Sequence, residues 1–300
     1  MAEMMLYPTT ITRLAPAKIN LALRITRRRE DGYHLLESLF LPLSWGDTVQ
    51  VRVQKAQRTE ISCDCAPDTT LSGPQNLAGR AAKAYLDARD LRARVEIHIY
   101  KRVWVAAGLG GGSSDAAAVL CALSTLDFMP PTEAQLLRLA LNLGADVPFF
   151  LDPRPARVSG IGEHRVPLMA PTLDLLLLNP QIPLSTADVF SALGLAPGQS
   201  LEKNQPSPAL PKRLMDAQEA ATWVENDLEL AAESLCPAIG ELREALLNHG
   251  ALAAGLSGSG PTLFGLFPSK TAAAAAAKEL GAKSTSSLVQ CSSVCNLTPS

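Results

Sequence analysis

The chain has 300 residues, enough to bury a sizeable core and to form two lobes. Its 27 basic and 29 acidic residues nearly cancel, which excludes the basic footprint of a nucleic-acid or membrane-surface protein and points to small-molecule partners. The first residues, MAEMMLYPTTITR, lack a basic stretch followed by an apolar core, and no apolar run approaches the ~20 residues that span a bilayer, so a soluble cytoplasmic protein is expected.

In chain order, AKINLALRIT alternates Ile19, Leu21, Leu23 and Ile25 with Lys18, Asn20, Ala22 and Arg24, which predicts a half-buried strand. Arg27, Arg28 and Arg29 run into Glu30, and Asp31-Gly32 signals a hairpin leading into YHLLESLF, so the arginines read as a solvated turn. VQVRV and RVEIHIY alternate as strands, and between them NLAGRAAKAYLDA has helical spacing behind Asn76 as its cap. GLGGGSSDAA opens a helix over about 113–126, and a second is predicted over 132–143, stopped by Gly144 as a left-handed glycine. VPFFL and LDLLLLNP read as short buried strands, 197–211 as a surface connection, and 215–235 and 237–249 as helices. ALAAGLSGSGPTLFGLF reads as strand, glycine turn and strand, and TAAAAAAKEL as a packed helix. Elements mixed in this way predict an α+β fold in two layers. Cys63, Cys65, Cys121, Cys236, Cys291 and Cys295 lack paired metal-ligand spacing and are expected to be reduced, structural thiols.

The glycine loop is the chemical centre of the sequence. A backbone without side chains lets N–H groups approach an anion, and a helix starting behind it adds a positive dipole end. The dipole contributes only about 0.3–1 kcal/mol at an exposed site, so several N–H donors must act together. The place of a P-loop lysine holds Ser113 and Ser114, Ser113 also replaces the third glycine of the dinucleotide fingerprint, and the protein-kinase signatures H-R-D and D-F-G are absent. Either serine can cap the helix, leaving the other to meet a phosphate oxygen or Mg2+. Asp115, expected in the first turn, suits the dipole but repels a bare triphosphate unless a cation lies between them. The plainer alternative is a serine-capped turn with no ligand.

APAKINL, GLGGGSSDAA and GLSGSGPTLF, in that order, resemble the three motifs of the small-molecule kinases named for galactokinase, homoserine kinase, mevalonate kinase and phosphomevalonate kinase, the GHMP kinases. The doubled serine, DGYHLLESLF and LGADVPFF are most similar to the branch that phosphorylates 4-diphosphocytidyl-2-C-methyl-D-erythritol. The resemblance covers most of the chain and is least informative over 197–221. It implies a two-lobed fold of mixed sheets and helices with the active site in the cleft between lobes. Residues 1–168 would form the ATP-binding and catalytic domain and 169–300 the substrate side. It further implies transfer from ATP, with Mg2+, to the 2-hydroxyl of that alcohol in non-mevalonate isoprenoid synthesis. No nucleic-acid or membrane partner is implied, and the chain would be a monomer or weak homodimer.

Phosphoryl transfer needs a donor cradle, a nearby cation and a carboxylate for the alcohol's proton. Lys18 shares a strand face with Asn20, about 6.6 Å along it, and Asp146 lies in apolar company that should partly desolvate it. The resemblance makes these two the catalytic pair. It places ATP at Asn76, Lys101, Ala106, Ala107, Gly108, Leu109, Gly110, Gly111, Gly112, Ser113, Ser114 and Asp115; the metal ligands stay open, Ser114 being a candidate through the Mg2+ of the nucleotide. Tyr33 can stack on a pyrimidine and His34 can bond its edge; the resemblance assigns both to the acceptor, with Asn20, Thr186 and Phe190. His98, His164 and His249 read as structural, and GLSGSG as closing over phosphates through its backbone. The chain departs from the family in KRVWVAAGLGGG, where Trp104 replaces a proline and Ala106-Ala107 a glycine-containing pair; Trp104 is expected to touch the nucleotide. Two rival readings are another alcohol kinase of the superfamily, acting on mevalonate or homoserine, and a catalytically silent nucleotide binder.

Overall fold

A computed structural model describes residues 8–201, 207–283 and 288–294. Cys295 and part of the 197–211 connection lie outside them. In chain order the elements are β1 (Thr9–Arg28), β2 (His34–Lys55), β3 (Glu60–Ala66), α1 (Leu77–Arg89), β4 (Ala93–Tyr100), α2 (Gly111–Leu126), α3 (Glu133–Leu143), α4 (Val147–Leu151), β5 (Ala156–Gly160), β6 (His164–Pro167), β7 (Leu173–Asn179), α5 (Thr186–Ala192), α6 (Ala217–Ala221), β8 (Glu225–Asn226), α7 (Glu229–Leu235), α8 (Ala238–Asn248), β9 (Ala253–Leu256), β10 (Leu263–Phe267), α9 (Lys270–Lys283) and β11 (Leu288–Val294). This is the expected α+β mixture. No helix among the described residues is long and apolar enough to cross a membrane.

The chain folds as two compact units. One takes the chain up to Ala17, Trp45–Val105 and Gly110–Pro153; the other takes Lys18–Ser44, Ala106–Leu109 and the chain from Arg154 onward. In the first, β3 runs parallel to β4, and β4 pairs antiparallel with the later half of β2. Helices α1 and α2 pack together, and the buried residues of both are rich in small side chains, Ala78, Ala81 and Ala82 on one and Ala116 and Ala117 on the other. In the second unit, β7 lies antiparallel between β11 and β10, and β9 follows β10 at the edge. Leu176, Leu178, Leu263 and Phe267 from this sheet share a core with Ile239, Leu246, Ala273 and Ala276 of the helices.

Local chemistry explains where the structure departs from expectation. VPFFL is helix rather than strand: five apolar residues suit either, and Pro148 at the start is tolerated in a first helical turn. The pattern over 215–235 breaks into α6, β8 and α7. Asp216 caps α6 through the Glu219 N–H at 2.8 Å, Asn226 Oδ1 accepts the Leu228 N–H, and Asp227 Oδ2 accepts the Ile25 N–H; these bonds compete with a continuous helix. Gly144 ends α3 with φ of 170°, which is extended rather than left-handed. Strand β1 is buried on both faces from Ala15 to Ile25, because its polar side is covered rather than solvated.

Asp127, at the end of α2, shows how burial sets stability. Its Oδ2 accepts from Tyr85 Oη at 3.0 Å and Arg89 Nε at 2.9 Å, and its Oδ1 from the Met129 N–H at 2.9 Å. Asp127→Ala removes the acceptor of a buried phenol and of the Arg89 Nε–H, leaving that guanidinium its bond to the Met129 carbonyl, and is expected to cost about 3 kcal/mol, whereas Tyr85→Phe should cost about 1 kcal/mol; urea unfolding of both variants measures the difference.

Candidate active site

The glycine loop belongs in part to each unit: Ala106–Leu109 groups with the second, and Gly110 onward with the first. In the second unit, Gly108 has φ of +73°, and a Cβ there would lie 2.1 Å from the Ser257 carbonyl oxygen, so only glycine fits. Ser257 Oγ donates to the Gly108 carbonyl at 2.9 Å. Ala106 also adopts a left-handed conformation, with φ of +50°, where alanine is strained and the family's glycine would not be.

In the first unit, α2 starts two residues earlier than its pattern suggested. Gly110, with φ of +71°, is its N-cap, no side chain caps it, and neither Ser113 nor Ser114 fills that role. Asp115 accordingly lies beyond the first turn. A Cβ on Gly112 would meet nothing within 4 Å, so neither packing nor φ requires glycine, although glycine inside a helix costs about 1 kcal/mol relative to alanine. Ser114 Oγ is buried without a hydrogen-bond partner among the described residues. An uncapped helix start, a bare first turn and an unspent hydroxyl fit a phosphate group.

Asp115 and Lys101 are used differently from expectation. Lys101 Nζ donates to Asp47 Oδ2 at 2.5 Å and to Asp115 Oδ2 at 2.9 Å, so one ammonium serves two buried carboxylates. Burial opposes the ammonium, but the two carboxylates outweigh it and hold the Lys101 pKa above its ordinary value. Burial, partly offset by Lys101, pushes Asp115 up to about 7, with Asp47 adding to the rise. Asp47 Oδ1 also accepts the N–H groups of Arg102 and Val103, at 2.5 and 2.8 Å, fixing the chain that leads into the loop. Nothing in WGDTVQV marks Asp47 for this; its partners lie more than fifty residues away. Directly after Val103, Trp104 meets Trp45 edge-to-face at 5.2 Å. Asn76 caps α1 through the Ala78 N–H at 2.9 Å, as its position suggested.

Of the expected catalytic pair, Lys18 lies in the second unit and Asp146 in the first. Lys18 is 4% exposed; its Nζ donates to Asn20 Oδ1 at 2.6 Å and sits 4.8 Å from the centre of the Phe40 ring. Asn20 Nδ2 in turn donates to Ser38 Oγ at 3.0 Å, and the Lys18 N–H donates to the Leu109 carbonyl at 3.0 Å. Phe40 and Ser38 were not anticipated; both sit in the strand read only as the far side of the hairpin. Asp146 is half-buried at the start of α4, where its side chain makes no capping bond.

The acceptor residues partly converge. His34 stacks on Phe190 with centroids 4.6 Å apart and planes at 30°, while Tyr33 stands exposed at the turn. Burial, then the charge of Arg28, lowers the His34 pKa, which favours the neutral ring. Thr186, the first residue of α5, shares a 2.8 Å hydrogen bond with Ser259 Oγ. His98, His164 and His249 pair with nearby acids: Asp64, Glu163 and Glu279.

Models of the GHMP kinase N-terminal and C-terminal domains match residues 76–152 and 204–285. The chain is 43% identical over 268 residues to 4-diphosphocytidyl-2-C-methyl-D-erythritol kinase of Anaeromyxobacter dehalogenans, covering 88% of this chain and 83% of that one. Against the enzyme of that name from Pelobacter propionicus it is 40% identical over 272 residues, covering 90% and 94%. A solved structure of 4-(cytidine 5'-diphospho)-2C-methyl-D-erythritol kinase is similar with a TM-score of 0.76 and 36% identity, over 95% of this chain and 99% of that one. Identity at this level, sustained over most of the length of each relative, means that the chain belongs to the 4-diphosphocytidyl-2-C-methyl-D-erythritol kinase family of the GHMP kinases.

Proposed function

We propose that the chain transfers a phosphoryl group from ATP to the 2-hydroxyl of 4-diphosphocytidyl-2-C-methyl-D-erythritol. Lys18 carries the reading. Its backbone N–H bonds the glycine loop at Leu109, and its ammonium rests on Asn20, so one residue ties the candidate cation to the candidate phosphate cradle. ATP supplies the transferred group. The backbone N–H groups from Ala106 to Gly112 donate to its phosphates, and Ser114 offers them, or an accompanying Mg2+, a buried hydroxyl. Trp104 contributes a flat surface to the nucleotide. Asp146 takes the proton of the acceptor hydroxyl, and Lys18 balances charge as it develops. His34, Phe190 and Tyr33 receive the pyrimidine, with Asn20 and Thr186 as polar contacts. In this reading the ATP-binding and catalytic residues lie in 1–168 together with Asn20, Tyr33 and His34 of the acceptor set, while Thr186 and Phe190 fall in 169–300.

The decisive test is ADP release with the diphosphocytidyl alcohol, mevalonate and homoserine compared in parallel. Turnover is expected only with the first; turnover only with another alcohol, or with none, overturns the proposal. Asp146→Asn should retain ATP binding by calorimetry while kcat falls about 100- to 10,000-fold. Asp115 gives a further expectation. Its folded pKa is raised from 3.8 to about 7, so the folded state holds a proton that the unfolded state releases in that window. Stability should therefore fall as pH rises through it, and denaturation of Asp115→Asn over the same range should show a shallower decline.

A further inference from the structure

The turn between β9 and β10 carries two serines with different partners. Ser257 Oγ donates to the Gly108 carbonyl of the glycine loop at 2.9 Å, while Ser259 Oγ shares its 2.8 Å bond with Thr186 Oγ1 at the head of α5. The turn itself is held tightly. The Ser257 N–H donates to the Thr262 carbonyl and the Gly260 N–H to the Ser257 carbonyl, each at 2.9 Å. Asn226 Nδ2 reaches the carbonyls of Leu256 and Gly258, each at 2.8 Å. There is no slack against the loop: a Cβ on Gly258 would stand 3.1 Å from the Gly108 carbonyl oxygen.

At its other end, α5 is set by Phe190, stacked on His34 at 4.6 Å. A pyrimidine entering between these rings needs a separation of about 7 Å, twice an ordinary stacking contact, so its arrival must move Phe190 and the short helix that carries it. Thr186 is four residues away on that helix and bears on Ser259.

Resting on the reading of the site given above, we propose that Ser259 is a positioning residue: through Thr186 on one side and Ser257 on the other, it couples the acceptor's nucleoside end to the phosphate loop, so that donor and acceptor bind cooperatively. A ring bound at Phe190 restrains α5, α5 restrains the turn, and the loop lying against the turn then loses less freedom when the nucleotide phosphates arrive. The coupling is reciprocal, since each ligand must change the other's affinity by the same factor.

The test is calorimetric titration of the full chain with ADP and Mg2+, with and without saturating CDP. CDP should tighten ADP binding at least about fivefold in the unaltered protein, within the usual range for coupled sites. Ser259→Ala should bring that factor to within about twofold of unity while each ligand alone binds nearly as before, and Ser259→Thr, which keeps the hydroxyl, should restore it. Thr186→Ala breaks the same bond from the other side, and the double variant should lose no further coupling. Both ligands binding independently or competitively in the unaltered protein overturns the proposal, as does full coupling in Ser259→Ala. Failure of the unaltered protein to bind ADP overturns the functional reading and the inference with it.

Discussion

A hydrogen atom is the most that fits at the α-carbon of Gly108. The Ser257 carbonyl occupies the place a side chain would take, and the left-handed backbone would penalise one in any case. That close approach lets the Ser257 hydroxyl reach the Gly108 carbonyl and sets the next carbonyl, at Leu109, where the Lys18 N–H meets it. The loop is therefore held by partners on both sides, a strand and a turn far apart in the chain. Pre-setting such a backbone before a ligand arrives removes part of the ordering cost of binding.

Electrostatics in the first unit obeys a similar economy. A lysine shared by two buried carboxylates leaves an odd charge, and burial resolves it by making Asp115 hold its proton more tightly. Asp47 would be costly to bury alone. Three hydrogen bonds, one from Lys101 and two from backbone N–H groups, compensate it and fix the chain that leads to Trp104 and the loop. Lys101 thus balances two buried carboxylates and, through Asp47, steadies the chain that enters the loop.

Much of this was legible in the residues. Alternation marked the strands, Asn76 marked a helix start, Asp31-Gly32 marked the hairpin, and the order of the three motifs, two of them glycine-rich, marked the family. What escaped has a common cause. Asp47 finds Lys101 at a separation of 54 residues, and Ser259 finds Thr186 at 73; no local pattern encodes such pairs. The start of α2 was misjudged because serines are better caps than glycine in general, whereas here Gly110 makes the turn by its backbone alone. The break between α6 and α7 depends on Asn226 and Asp227 bonding to chain elsewhere in the fold, which periodicity cannot register. VPFFL was too short for its period to decide between helix and strand.

The burial of β1 on both faces has a consequence for how the chain can vary. Successive residues of a strand face opposite ways, so one inserted or deleted residue before Lys18 would exchange the side bearing Lys18, Asn20 and Arg24 for the side bearing Ile19, Leu21 and Leu23. Since neither side meets solvent, the exchange would place ammonium and guanidinium groups in an oily layer and leave the polar partners facing leucine. The length of this segment is thus as tightly constrained as its composition, and a frame error of one residue there would do more damage than many substitutions.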